Sequence, residues 1–251
     1  MLHSCSYVSI RIIKKEKMTK LNASGVLVQV INLERRPDRL ARMNAELQKA
    51  GLTFEVQVAV DGQLESHEPK FLSKGAVGCW KSHVNAMRRI VEAKAQFGLI
   101  LEDDAVFSPV VNDRFLAEMT ELMKRNHIDI LQIGFIDWRN SVSIRSGILE
   151  FLIALLKQRG TKDPSGFRFI LGEFLQTTHA YIVNTRLAEA ISETFPGPPL
   201  LAWDDYLGVL AKGQTQRGIR IGRLVKSVAS QESYEVEGLK KDSDIWDHEA
   251  R

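Results

Sequence analysis

The sequence predicts an α/β fold: a single domain on a Rossmann-type mixed sheet flanked by helices. Three observations carry this. Residues 26–33 (VLVQVINL) form an unbroken, largely β-branched and apolar run, as expected of a strand covered on both faces. A helical pattern and a second strand follow it directly, the β-α-β order of a nucleotide-binding sheet. The length of 251 residues, 44% hydrophobic and 26% charged, suits one domain with a substantial core.

The elements follow in order. Pro37 opens the first helix, where its missing N–H costs nothing, and Leu40, Met43 and Leu47 recur at helical spacing up to a stop at Gly51. Residues 54–60 read as the second strand, closed by Asp61-Gly62. Residues 76–95 read as a helix with Trp80, Val84, Met87, Ile90 and Val91 on one side. Residues 97–101 are the third strand, with Glu102-Asp103-Asp104 at its C-terminal end. An amphipathic helix over 112–126 leads to a fourth strand at 129–134. Residues 178–183 read as another strand and 185–194 as a helix, and Pro196-Gly197-Pro198-Pro199 forces a turn. Trp203-Asp204-Asp205-Tyr206 opens a short helix, and residues 219–228 end the core.

Three segments stand outside this pattern. Residues 1–24 carry Arg11, Lys14, Lys15, Lys17 and Lys20 with no apolar core behind them, so they read as a disordered extension rather than a signal peptide, with Met18 an alternative start. Residues 136–170 mix polar residues with a compact apolar block and form a variable insertion in the 25–231 domain. Residues 232–251 are expected to be a flexible tail.

Net charge is +3, from 34 Lys and Arg against 31 Asp and Glu. The mildly basic balance suits an anionic substrate or an acidic membrane surface, and because the basic residues are dispersed it does not by itself point to nucleic acid, which is not expected as a partner. Cys5 and Cys79 form no disulfide framework, and no run approaches the roughly 20 apolar residues that span a bilayer. A reducing, cytoplasmic location is the expectation.

Three consecutive acids after an apolar strand point to a cation. At a strand's C-terminal end carboxylates enter the crevice where open α/β sheets bind ligands. Crowding like charges there costs free energy unless a cation or hydrogen-bond donors offset them. Mn²⁺ or Mg²⁺ does so with one or two carboxylates and completes its shell with phosphate oxygens. The plain alternative is a solvated turn with an Asp capping the next helix.

Several segments, in order, resemble glycosyltransferase family 25, the LPS/LOS-type enzymes that include lipooligosaccharide galactosyltransferases and relatives of the collagen galactosyltransferases. The matching segments are 30–33 (VINL) with Arg35, Asp38 and Arg39; Ala59-Val60-Asp61-Gly62; Gly75, Gly78-Cys79 and Ser82-His83; Leu99 to Asp104; Thr178 with Ala180-Tyr181-Ile182; and Asp204-Asp205. The resemblance implies a GT-A-like fold, a UDP-sugar donor and inverting transfer of a hexose, commonly galactose, to a lipooligosaccharide or related glycan. It implies that Ile31, Asn32 and Leu33 border the nucleotide and that Arg35 and Arg39 pair with phosphate or lock the loop. By the same carry-over Asp61 and Gly62 border base or ribose, and Ser82 and His83 lie near the donor. Glu102 and Asp104 become metal ligands, Asp103 a ribose or metal-water contact, and Asp204 and Asp205 candidates for general base. The late histidine that many GT-A enzymes give to the metal has no counterpart before His248, and Gln231 stands near its place.

Other residues keep two readings. Cys79 and His83 are four apart and could start a zinc site, but two further ligands are missing from the sequence, so His83 is expected to line the site or pack the helix. His179 reads equally as a core histidine or an acceptor-site residue. Asp204 and Asp205 also suit helix capping. Trp138 and Trp203 could stack on sugars or supply core mass. The block 148–156, flanked by Arg145, Lys157, Arg159 and Lys162, reads as a buried helix or as peripheral membrane contact through 145–160, towards a lipid-linked acceptor at the inner membrane face. The rival functions are a sugar nucleotidyltransferase, disfavoured because Glu34-Arg35-Arg36-Pro37 replaces its Gly-rich loop, and a non-catalytic glycan- or nucleotide-binding module.

Overall fold

A computed structural model describes residues 19–64, 71–136, 160–194, 199–213 and 218–231. The apolar block at 148–156, Trp138, most of the 136–170 insertion and the C-terminal tail lie outside these. Among the described residues no helix is long and apolar enough to cross a membrane.

The chain runs β1 (Val26–Asn32), α1 (Pro37–Lys49), β2 (Glu55–Val58), α2 (Lys74–Glu92), β3 (Phe97–Glu102), β4 (Ala105–Phe107) and α3 (Asp113–Asn126). It continues through β5 (Ile130–Gly134), β6 (Thr161–Lys162), β7 (Arg168–Leu171), β8 (Ala180–Asn184), α4 (Thr185–Thr194), α5 (Trp203–Lys212), β9 (Ile221–Leu224) and β10 (Ala229–Gln231). The sheet order is β2-β1-β3-β8-β5-β9-β7-β6, and β10 joins β5 to β4 at one side. β2, β1 and β3 are parallel, as the β-α-β reading requires. β8 is antiparallel to both neighbours, β3 and β5, which makes the sheet mixed.

The unbroken apolar run of β1 has a direct cause. Val26, Val28 and Val30 pack into one core with Met43 and Leu47 of α1 and with α3, while Leu27 and Ile31 pack into a second core with α2, α4 and α5. Both faces of the strand are covered, and its two polar residues are both partnered: the Gln29 amide donates to the Ala86 carbonyl at 2.9 Å and the Asn32 amide to Asp103 at 2.7 Å. Helix ends match their signals. Pro37 sits in the first turn of α1, and Gly51, at φ +67°, follows its last turn in the left-handed conformation that favours glycine. Ser73 caps α2 by accepting from the Ala76 N–H at 3.1 Å.

Two details differ from the sequence-based expectation, and two residues that kept two readings are resolved. Residues 19–24 join the domain rather than the extension: the Asn22 amide donates to the Val26 and Thr53 carbonyls, and the Ser24 N–H donates to Asp113. β4 and β10 are three-residue strands, too short to leave a periodic signal. Trp203 is 1% exposed and packs edge-on against Trp80 at 5.2 Å, so it is core mass and not a sugar platform. His179 is fully buried before β8 and donates from Nε2 to the Ala229 carbonyl at 3.1 Å, and burial pushes its imidazole towards the neutral form. Of its two readings the structure selects the core one.

Candidate functional site

A cleft opens at the C-terminal ends of β1, β2 and β3. Ile31, Leu33, Arg35, Arg39, Asp61, Gly62, Ser82, His83, Glu102, Asp103 and Asp104 line it, together with Cys79 and Gln231. Asn32 stands behind this wall, and Asp204 and Asp205 lie outside it.

Two glycines bring the loop after β2 against α2. A Cβ on Gly62 would lie 1.8 Å from the Lys74 carbonyl oxygen, and one on Gly78 would lie 2.5 Å from the Val60 carbonyl oxygen. Only glycine permits this approach, which carries Asp61 and the α2 residues Cys79 and His83 into one cleft. Ser82 completes the junction: its hydroxyl donates to the Gly78 carbonyl at 2.6 Å and accepts from the Val60 N–H at 2.8 Å. Arg35 pairs with Asp61 at 2.8 Å and holds that carboxyl below its usual range, so this arginine locks the loop.

Strand alternation separates the three acids. Glu102 ends β3 and projects to the α2 side, whereas Asp103 projects to the α1 side. Glu102 accepts at one oxygen from Thr178 Oγ1 at 2.5 Å and lies 3.2 Å from His83 Nε2. Burial pushes this carboxyl up, but His83 and Thr178 more than offset it and hold it below its usual range. Asp103 accepts from Asn32 Nδ2 at 2.7 Å and from Arg39 at 3.2 Å. Burial still raises its pKa despite Arg39.

Asp104 differs. One oxygen accepts from Gln231 Nε2 at 2.9 Å, and the other is buried with no hydrogen-bond partner among the described residues. Burial, then the Glu102 charge beside it, pushes its pKa up to about 7. A partnerless buried carboxylate oxygen in a cleft is the arrangement a divalent cation satisfies. Gln231 reaches it because β10 pairs with β4, setting Gln231 opposite Ala105, the residue after Asp104.

Behind the acids lies a chain of partners that spacing in the sequence did not reveal. Tyr181 Oη is 2.9 Å from His83 Nδ1, and the His83 ring stacks on Trp203 at 5.4 Å and 12°. Tyr181 and Thr178 were visible as motif residues, but their partners stand 98 and 76 positions away.

Asp204 and Asp205 occupy the first turn of α5, whose N-cap is Ala202. Neither therefore caps the helix, although both suit its dipole. Asp204 accepts from the Thr177 N–H at 3.4 Å and the Asp205 N–H at 2.9 Å, and burial raises its pKa. Thr177 takes φ +93°, a costly conformation for a β-branched residue, between Asp204 and the Glu102 contact made by Thr178.

The chain is similar to one family of known proteins. The model of glycosyltransferase family 25 (LPS biosynthesis protein) matches residues 27–207. A glycosyltransferase 25 family member of Anopheles gambiae is 28% identical over 202 residues, 73% of this chain and 31% of that protein. Procollagen galactosyltransferase 1 of Danio rerio is 26% identical over 203 residues, again 73% of this chain and 31% of that protein. The chain thus spans less than a third of these relatives' length. Among solved structures, apo UDP-glucose pyrophosphorylase aligns with TM-score 0.38 and 14% identity over 80% of this chain and 74% of that one, too distant a likeness to bear on function.

Proposed function

The chain belongs to glycosyltransferase family 25, and from that premise we propose that it transfers a hexose, galactose in the first instance, from a UDP-sugar to a glycan acceptor with inversion. The observation that carries this reading is the partnerless Asp104 oxygen in a cleft shared with Arg39 and the Asp61-Gly62 loop. The donor set fits Mn²⁺ or Mg²⁺: a hard carboxylate oxygen, buried and raised in pKa, waits for a positive charge. Such an ion, held by Asp104 with Glu102 beside it, would neutralise the diphosphate and ease its departure.

The protein's own groups do the rest. Ile31 and Leu33 form the apolar floor under the nucleotide. Asp103, fixed by Asn32 and Arg39, offers an acceptor to ribose hydroxyls. Of the acidic pair we take Asp204 as general base, because burial raises its pKa and strengthens it as a proton acceptor. It would take the acceptor hydroxyl's proton as that oxygen attacks the anomeric carbon opposite the departing UDP.

We further propose a lipooligosaccharide or other lipid-linked acceptor, met at the cytoplasmic membrane face through residues 145–160. Liposome flotation with and without that segment tests this; equal flotation ends it. For the reaction, UDP release from UDP-galactose is measured with Mn²⁺ and with EDTA. Metal-dependent release is expected, and release indifferent to EDTA would overturn the metal assignment.

A further inference from the structure

We infer that Cys79, His83 and Glu102 form a second cation site, built for a thiophilic divalent ion of the zinc class, with its fourth position open to the cleft. This does not rest on the reaction proposed above.

Cys79 and His83 face the same way from successive turns of α2, and the end of β3 brings Glu102 to them. The sequence offers only two of these ligands in one stretch; the third is supplied by sheet geometry. One ligand atom from each of the three lies within 4.8 Å of the others, and no further His, Cys, Asp or Glu joins the group among the described residues. The His83 Nε2 to Glu102 Oε1 separation is 3.2 Å. Ligand bonds of about 2.0 Å in a tetrahedron set an edge of roughly 3.3 Å, so this pair already stands at coordination spacing.

The supporting shell is in place. A metal-bound histidine donates its other ring N–H to an acceptor that fixes its tautomer and orientation. Tyr181 Oη stands 2.9 Å from His83 Nδ1, and Trp203 and Tyr181 stack on the imidazole at 5.4 and 5.7 Å. Thr178 donates to the Glu102 carboxylate and restrains it in the same way. Sulfur, imidazole and one carboxylate are the donor set that zinc prefers, whereas the Asp104 oxygen suits Mn²⁺ or Mg²⁺. All three ligands line the cleft, which leaves the fourth position for water or an incoming group. Binding releases the Cys79 thiol proton to solvent, and the metal takes the Nε2 lone pair while Nδ1 carries the ring proton towards Tyr181 Oη.

The test uses tag-free protein carrying Cys5→Ser, so that Cys79 is the sole thiol of the two in the chain. Titration with Co²⁺ is followed by absorbance. The expected result is a near-ultraviolet thiolate-to-cobalt charge-transfer band with strong visible d–d bands. Both saturate near one equivalent, are erased by Zn²⁺ and are indifferent to Mg²⁺. Tyr181→Phe keeps every ligand and should weaken cobalt binding about 10- to 100-fold. Asp104→Asn should leave the band intact, separating this site from the Mn²⁺ position. Absence of the charge-transfer band, d–d bands without it, or a band unchanged by both His83→Gln and Tyr181→Phe would overturn the inference.

Discussion

At the N-terminal end of β5, away from the cleft, Asp129 is 1% exposed and accepts from Asn184 at 2.7 Å, Arg186 at 2.7 Å and the Arg220 N–H at 2.8 Å. Asp163, just after β6, is as deeply buried and is met by Arg125 and Asn126 from the end of α3 and by Ser165, which together hold its carboxyl well below the usual range although burial alone would raise it. At the cleft Asp104 is also buried, yet among the described residues only Gln231 donates to it, and its pKa moves the opposite way. Structural aspartates are saturated by donors from their own chain. An aspartate left one partner short at a strand end is kept for something that arrives.

The contrast can be broken most decisively at Asp104. Asp104→Asn should lower metal-dependent transfer about 1,000-fold, since the cation's contribution to leaving-group stabilisation is several kcal/mol. Its melting temperature should hold or rise, because a carboxylate with a raised pKa opposes folding at neutral pH. Loss of both activity and stability would place Asp104 with the structural aspartates.

Asp204 tests the intermediate case, a half-buried acid with backbone donors on both oxygens. Asp204→Asn should cut transfer by roughly 100-fold or more while leaving UDP binding by calorimetry intact. Wild-type turnover would remove it as the base.

Asp129→Ala should do the reverse. It strands Asn184, Arg186 and the Arg220 N–H, and urea unfolding should show a loss of about 3 kcal/mol with activity per folded molecule unchanged.

The pH response sharpens the comparison further. Asp104's folded pKa, about 7, lies above its ordinary 3.8. Its contribution to stability is therefore fully present below about pH 4 and is lost as pH rises through about 7. Protons and cation compete for the same oxygen, so Mn²⁺ affinity should fall about tenfold from pH 8 to pH 6, read by calorimetry in wild-type protein. A flat profile would separate Asp104 from the cation. The smallest effect belongs to Ser82→Ala, which removes the tie between α2 and the Val60 N–H and should cost about 1 kcal/mol in urea unfolding.

Much of this was legible beforehand. The burial of β1 on both faces, Pro37 at the start of α1, the span 185–194 of α4 and the acids at the end of β3 all follow from local spacing and composition. The nearness of Gln231 to the acid cluster was also expected. Which acid would lack a partner was not legible, because Glu102, Asp103 and Asp104 are chemically alike in a row and only alternation across β3 sends each to different neighbours.

The sequence by itself determined the β-α-β start, the family and the segments that meet at the cleft, because hydrophobic period and turn residues act over short range. Only the tertiary structure decided that β8 would insert antiparallel between β3 and β5, that Tyr181 and Thr178 would brace His83 and Glu102, and that β10 would bring one amide to Asp104 and leave its second oxygen bare. These depend on strand order and register between residues dozens of positions apart, and no local pattern encodes them.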